Sequence, residues 1–368
     1  MITYDEALRI IRHEGERRLL DCESVPLGQI AGRICAEEIR SSIANQPFDN
    51  AAMDGFALRA EDLANAANDN PVALDIIGRV AAGDAAPSGS PSRGQCYEIM
   101  TGAPLPPGCD VVIPVEQTEK ENGKVLFRLS ARKDDNVRRA GEDFAVDETV
   151  LMPGHVLGDQ HILVLATLGV SRVNALRKPK VAVLSTGLEV VDDLEASLAP
   201  GQIYNSTGPY LSNALTSMGA AVFACGTVAD DPEVFGTKLD CMIGKKADII
   251  VTTGAVSAGV YDFIRQELEK KGAEILFHKV KIRPGKPVLF AKLPDDGPLF
   301  VGLPGNPVAS AAGLRFFVYP LIRAMQGLRP ELPQHGILKS GYSKQQGFQS
   351  FLRAISTHTV KTTHWVGL

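Results

Sequence analysis

Residues 248–259 read Asp248-Ile249-Ile250-Val251-Thr252-Thr253-Gly254-Ala255-Val256-Ser257-Ala258-Gly259. The β-branched apolar run at its start predicts a buried strand, and the small and hydroxyl-bearing residues after it predict a tight loop. From Tyr261 the spacing turns helical. Phe263, Ile264 and Leu268 share one face, Arg265/Glu269 and Glu267/Lys271 stand four apart, and Gly272 suits a helix stop. Strand, small-residue loop and helix together aim backbone N–H groups and a helix's positive end at an anion. Tight α/β connections are also Gly- and Ser-rich for purely steric reasons, so the loop alone does not settle the matter.

Its surroundings favour an anion. After the apolar run Ile275-Leu276-Phe277 comes His278-Lys279-Val280-Lys281-Ile282-Arg283-Pro284-Gly285-Lys286-Pro287. In an extended chain Lys279, Lys281 and Arg283 project to one side, with Val280 and Ile282 to the other. Pro284 biases Arg283 toward an extended conformation, and Gly285 lets the chain turn and return Lys286. Such cations also occur on solvated sheet edges, where they discourage pairing. Leu299-Phe300-Val301-Gly302-Leu303 then reads as another strand, ending in Pro304-Gly305-Asn306-Pro307 before a helical pattern from Val308 to Met325.

Upstream, strand-like and helical stretches alternate. Val181–Leu184 predicts a strand ending at Ser185-Thr186-Gly187, Pro209–Met218 a helix, Ala221–Val228 a strand and Pro232–Ile243 a helix. Repeated β-α-β with buried, β-branched runs argues a parallel sheet, whose ligands sit beyond the carboxyl ends of the strands. That places Thr186, Gly187, Glu189, Asp230, Asp231, Gly254, Ser257 and Asp262 around one crevice.

The first half has a different texture. Thr3-Tyr4-Asp5-Glu6 is a capping-box pattern, and Ala7, Ile10, Ile11 and Leu19 fit an amphipathic helix of about four turns. A second helix is expected around Gln29 to Ile39, and another from Asp159 to Leu168. Between them, from about Ser42 to Leu129, short alternating runs broken by Gly and Pro predict an all-β insert. Asp54-Gly55 reads as a turn within it. After Met325 come Pro330 and Pro333, which mark a linker.

The 368 residues exceed one ordinary compact core, so two or more domains are expected. A formal net charge of −5 argues against nucleic acid as a bulk partner, which makes the basic cluster a local device. The cysteines Cys22, Cys35, Cys96, Cys109, Cys225 and Cys241 lack CxxC spacing, and there is no HExxH, so a structural zinc site is not expected. No signal-peptide-like stretch follows Met1 and no run reaches membrane-spanning length, so the expectation is a cytoplasmic protein with no membrane partner.

The motifs TTGAVSAGVYDF, KVKIRPGKP and GLPGNPVAS, preceded by FDNAAMDGFALR, TGAPLPPGCDVVIPVEQT and RRAGEDF, resemble the molybdopterin molybdenumtransferase family in order and spacing over residues 1–325. That family comprises bacterial MoeA and the E domain of gephyrin in animals. The resemblance implies a multidomain α/β plus β protein. Residues 1–42 and 139–175 would form a discontinuous linking domain, 43–138 the β insert, 176–329 an α/β domain of MogA-like type, and 330–368 a truncated C-terminal β domain, marginal on its own. It implies molybdenum cofactor biosynthesis, with molybdate entering the dithiolene of adenylylated molybdopterin and AMP released by hydrolysis. A divalent cation, Mg²⁺, would assist.

Carried over by motif, Asp54, Thr101, Glu189, Asp262 and Lys279 become the candidate catalytic residues. Thr186, Gly187, Thr253, Gly254, Ser257, Gly259, Lys279, Arg283, Lys286, Pro304, Asn306 and Pro307 become candidate substrate-binding residues. Glu189, Asp231 (or Asp230) and Asp262 are the candidate cation ligands, since a hard cation takes carboxylate oxygens plus substrate phosphates. The resemblance further implies a homodimer in which Asp54 and Thr101 act on the partner's crevice. Transient contact with a molybdopterin adenylyltransferase, and with molybdoenzymes or their chaperones, also follows. Arg283 stands in place of a more usual Lys, Leu188 and Asn205 in place of Asp, and Ala255 in place of Gly. These departures and the short C-terminus keep two other readings open: a non-catalytic molybdopterin carrier, and a dimeric scaffold of gephyrin-E type.

Overall fold

The structure, a computed structural model, describes residues 1–254, 263–334, 337, 341–343, 346–355 and 363–367. A six-stranded sheet organises the second half of the chain. In spatial order its strands are Ala221–Val228, Lys180–Thr186, Ile249–Thr253, Leu299–Leu303, Leu289–Lys292 and Glu274–His278. The first four run parallel, and the last two pairings are antiparallel, so Leu289–Lys292 alone runs against the others. The sheet is therefore mixed rather than purely parallel. The connection from His278 to Leu289 is too short for the crossover that a parallel neighbour would need.

Both faces of the sheet are covered, which is why its strands read as continuous apolar runs. Val181, Val183, Ile249, Val251 and Val301 face a core shared with Leu211, Leu215, Phe317 and Leu321. Ala182, Leu184, Ile250 and Phe300 face the other core, with Phe235, Leu239, Phe263 and Leu268. The helices Thr207–Ser217, Pro232–Gly244 and Phe263–Lys270 lie where the apolar periodicity puts them.

The long apolar pattern after Asn306 forms helix Pro307–Gly313, a π turn at Leu314–Val318 and helix Tyr319–Met325. This 19-residue stretch is long and apolar enough to cross a membrane by length and composition, contrary to the sequence expectation. It is 61% buried, and Leu314, Phe317, Val318 and Leu321 fill the protein core, so it is a core helix.

The first helix spans Tyr4–Glu16, and its capping box forms: Thr3 N–H donates to Glu6 at 2.8 Å and Glu6 N–H to Thr3 Oγ1 at 3.3 Å. Ala7 and Ile11 join the α/β core beside the Tyr319–Met325 helix. Leu19, expected on the buried face, is exposed because the helix has already ended; Leu20 is buried instead.

The helix expected at Gln29–Ile39 does not form. Only the 3₁₀ turn Leu27–Gln29 appears, Gly32 adopts φ +74°, and Ile34 and Cys35 make β-bridges to Val156 and Ala175. The i,i+4 spacing of Ile30 and Ile34 mimics a helix face, but their backbone partners come from far along the chain. Val25, Ile30 and Cys35 share one core with Leu151, Leu157, Leu165 and Val173.

Between these segments lies a second six-stranded sheet, in the order Val111–Pro114, Gly55–Leu58, Gln95–Ile99, Val72–Val80, Lys124–Phe127 and Thr118–Glu121. It has its own cores, around Phe56, Leu74 and Phe127 on one side and Ala57, Ile99 and Val112 on the other.

The C-terminal strand Gln349–Ile355 pairs parallel with Ile282–Arg283 and antiparallel with Thr363–Gly367. Phe351 is 3% exposed, stacked on Phe316 at 3.7 Å and edge-on to Tyr4 at 5.1 Å. The segment expected to be marginal is thus joined to the main core by a strand and a buried ring.

Candidate active site

The parallel strands end together: Thr186 pairs with Val228, Ser185 with Thr253, and Thr253 with Leu303. Their next residues therefore meet at one edge. Gly254 takes φ +90°, and a Cβ there would stand 2.5 Å from Thr186 Oγ1 and 2.7 Å from Thr186 O. Only glycine permits that approach. The Gly254 N–H donates to Leu303 O at 3.1 Å, and the buried Thr186 hydroxyl donates to Thr253 O at 3.0 Å. A Cβ on Gly305 would lie 3.5 Å from Gly254 Cα, which brings the PGNP turn to the same place. There Asn306 caps the following helix, its Oδ1 accepting from Val308 N at 3.0 Å and Ala309 N at 3.2 Å, with Pro307 at the first turn. The Ser310 hydroxyl donates to Pro304 O.

The cationic loop hangs from the antiparallel part of the sheet. Lys279 N–H donates to Val288 O at 2.9 Å, and Val280 N–H to Lys286 O at 2.9 Å. Val280 and Ile282 are buried, while Lys279 is half-buried and Arg283 and Lys286 are exposed. The alternation expected from sequence thus holds from Val280 to Arg283. Lys279 departs from it, with a left-handed φ of +69° that non-glycine residues rarely adopt.

Glu189 and Asp230 follow the ends of two neighbouring strands. Burial, and next the Glu189 carboxylate, hold Asp230 above the usual Asp range. Desolvation disfavours the charged carboxylate, and the nearby like charge adds to it. Asp231 is used differently: its Oδ1 caps the Pro232–Gly244 helix, accepting from Glu233 N at 2.8 Å and Val234 N at 3.1 Å. Among the described residues no three His, Cys, Asp or Glu side chains form a metal cluster. Two carboxylates fit a hard cation that takes its other oxygens from phosphate and water.

Asp54 and Thr101 sit together on the other sheet's unit. Asp54 Oδ1 accepts from both the backbone N–H and the hydroxyl of Thr101, each at 2.6 Å. Those two bonds, the hydroxyl's first, hold the exposed Asp54 carboxyl below its usual range. Both bonds fall on the same oxygen of the carboxylate. Ala255, Ser257, Gly259 and Asp262 lie outside the described residues.

Sequence reasoning passed over one cluster beside this edge. Asp192 belongs to no motif, and Asn205 reads as a departure from Asp. Hydrogen bonds join Asn205 to Ser185, Asp192 and Thr227, and Asp192 to Thr227. The missing signal is pairwise: the amide at 205 makes sense only beside the carboxylate at 192.

Residues 2–169 match the family described as "MoeA N-terminal region (domain I and II)", and residues 182–324 match "Probable molybdopterin binding domain". The chain is 36% identical over 366 residues to a molybdopterin molybdenumtransferase of Synechococcus elongatus, covering 100% of this chain and 90% of the relative. It is 34% identical to that of Bacillus subtilis, covering 97% and 83%. Among solved structures, a molybdopterin biosynthesis MoeA protein of Pyrococcus horikoshii superposes with TM-score 0.82 at 27% identity, over 99% of this chain and 89% of the other.

Proposed function

Because this chain belongs to the MoeA family of molybdopterin molybdenumtransferases, we propose that it inserts molybdate into adenylylated molybdopterin, with hydrolytic release of AMP. The observation that carries the reading is the meeting of Thr186, Gly254 and Gly305 at one sheet edge, where the missing side chains let the strand-end loops close on one another. The cationic loop supplies the charge that an anionic ligand needs. Lys279 and Lys286 bind the anionic groups of the substrate and molybdate as point charges, and Arg283 offers a planar fork.

Glu189 and Asp230 are the residues we assign to Mg²⁺, with Asp262 as a further ligand. Asp230 is preferred to Asp231 because the latter's carboxylate already caps a helix. The ion would neutralise charge at the pyrophosphate when bound. Asp54, held ionised by Thr101 through one oxygen, has the other to orient the attacking water and accept its proton.

We divide the chain into residues 43–138 as the β insert, 1–42 and 139–175 as the linking unit and 176–329 as the α/β unit; the separate cores around Phe56 and around Val25 support the first two, while Ala7 and Ile11 of the linking unit pack into the α/β core. We take the working form as a cytoplasmic homodimer in which Asp54 and Thr101 serve the partner's crevice. Product transfer to molybdoenzymes follows from the reaction class.

The test is AMP release from adenylylated molybdopterin with Mg²⁺, with and without molybdate. Binding without AMP release would move the protein to the carrier reading. Mixing inactive Asp54→Ala chains with inactive Lys279→Ala chains should restore part of the activity. No recovery despite verified subunit exchange refutes the shared site.

A further inference from the structure

One buried amide ties together three segments at the sheet edge. Asn205 is 6% exposed. Its backbone N–H donates to Val191 O at 2.8 Å, and its Oδ1 accepts from Gly208 N at 2.8 Å. Only an oxygen can accept from Gly208, so the amide's orientation is fixed. Its Nδ2 then stands 2.7 Å from Asp192 Oδ1, 3.1 Å from Thr227 Oγ1 and 3.1 Å from Ser185 Oγ. Asp192 also accepts from Thr227 N at 2.8 Å and Thr227 Oγ1 at 2.6 Å. Burial pushes the Asp192 carboxyl up, but the bonds from Thr227 and Asn205 outweigh it and hold the group ionised.

Each anchored residue neighbours a proposed site residue. Ser185 precedes Thr186 and Gly187. Asp192 follows Glu189 on a segment whose Glu189 O accepts from Ile203 N at 2.8 Å. Thr227 lies at the end of the strand that leads to Asp230. Glu189 and Asp230 thus follow the two strand ends that the Asp192, Asn205 and Thr227 bonds tie together. We propose that Asp192 and Asn205 are a positioning pair, which fixes the Glu189 segment against the Thr227–Asp230 segment for the transfer reaction. This rests on the reading of Glu189 given above.

The chemistry of the pair also accounts for the departure at 205. A carboxylate there would put an oxygen where Nδ2 now stands, 2.7 Å from Asp192 Oδ1. Two carboxylates in contact cannot both ionise, and the site would take up a proton or spring open. With the charge at 192, position 205 must supply the amide. The two side chains are exchangeable in principle. A carboxylate at 205 would accept from an amide at 192 and from Gly208 N, while that amide's oxygen would accept from Thr227 N.

The experiment compares N205D, D192N, the exchanged double variant and E189Q in the full chain with Mg²⁺, adenylylated molybdopterin and molybdate. AMP release gives kcat and KM, and thermal melts run in parallel. Each single variant at the pair should lower kcat about 10–100-fold, the usual cost of losing a partner that orients a ligand-bearing group. KM should change much less, and the double variant should recover most of kcat. Should N205D fail to fold, D192N and the double variant still decide the matter. Singles with normal kcat at temperatures below their melts would reduce the pair to a structural role and overturn the inference. A double variant no better than the worse single would do the same. Unimpaired E189Q would overturn the Glu189 reading itself, a result distinguishable because it does not depend on rescue at 192 and 205.

Discussion

Gly254→Ala is the most direct probe of the sheet edge. At φ +90° an added side chain carries the left-handed penalty, about 1–2 kcal/mol. The new methyl would stand 2.5 Å from Thr186 Oγ1 and 2.7 Å from Thr186 O. The hydroxyl can swing away, but it then gives up its 3.0 Å bond to Thr253 O, about 1 kcal/mol for a buried neutral pair. The carbonyl belongs to the neighbouring strand and cannot rotate, so the strand ends must part, at about 1–3 kcal/mol for overpacking. Against this, alanine restricts the unfolded chain and returns about 0.4–1 kcal/mol. The net expectation is a loss of about 4 kcal/mol, together with a fall in AMP release, because Gly305 rests against the displaced backbone. Gly201→Ala is the control: φ is +86° there with nothing within 4 Å, so it reports the backbone term alone. Urea unfolding and AMP release on both variants check the reasoning. A Gly254→Ala protein no less stable than Gly201→Ala would refute the close contact.

Other expectations follow from the same geometry. Phe351→Ala removes a ring stacked on Phe316 and should cost about 3–5 kcal/mol of docking, read as faster proteolysis of the C-terminal segment; unchanged digestion refutes the bracing role. Asp230, raised by burial and then by Glu189, binds its proton more tightly folded than unfolded. Its stabilising contribution is therefore full below the ordinary Asp pKa of about 3.9 and is lost as pH rises through the folded value. Asp230→Asn should accordingly raise the melting temperature of the metal-free protein at neutral pH and flatten this part of the curve. Mg²⁺ should stabilise the parent more than the variant, and superimposable pH curves would count against the carboxylate pair. Lys279→Ala and Lys286→Ala should weaken substrate binding, and the deficit should shrink between about 0.1 and 1 M salt as the Debye length falls from about 10 to 3 Å. A salt-independent deficit in titration calorimetry would mean the lysines act otherwise.

Local chemistry decided much of this molecule. The strands at 181–184, 249–253 and 299–303 are legible because a sheet covered on both faces demands continuous apolar runs. Thr3 and Asn306 announce helix starts because a short polar side chain satisfies orphan N–H groups within three residues. The alternation of Val280 and Ile282 with Lys281 and Arg283 likewise needs only the pleat. Tertiary structure decided whatever depended on a distant partner. Ile30 and Ile34 carry helical spacing, yet bridges to Val156 and Ala175 draw Ile34 and Cys35 into extended pairing. Lys279 takes a left-handed backbone where the loop closes, Lys279 bonding Val288 and Val280 bonding Lys286. Gln349–Ile355, a remnant in sequence, becomes part of the core only because Ile282–Arg283 offers an edge and Phe316 a ring. Asn205 reads as a loss until Asp192 is found 2.7 Å away, for a hydrogen bond or a like-charge clash is a property of two positions that the chain order keeps apart.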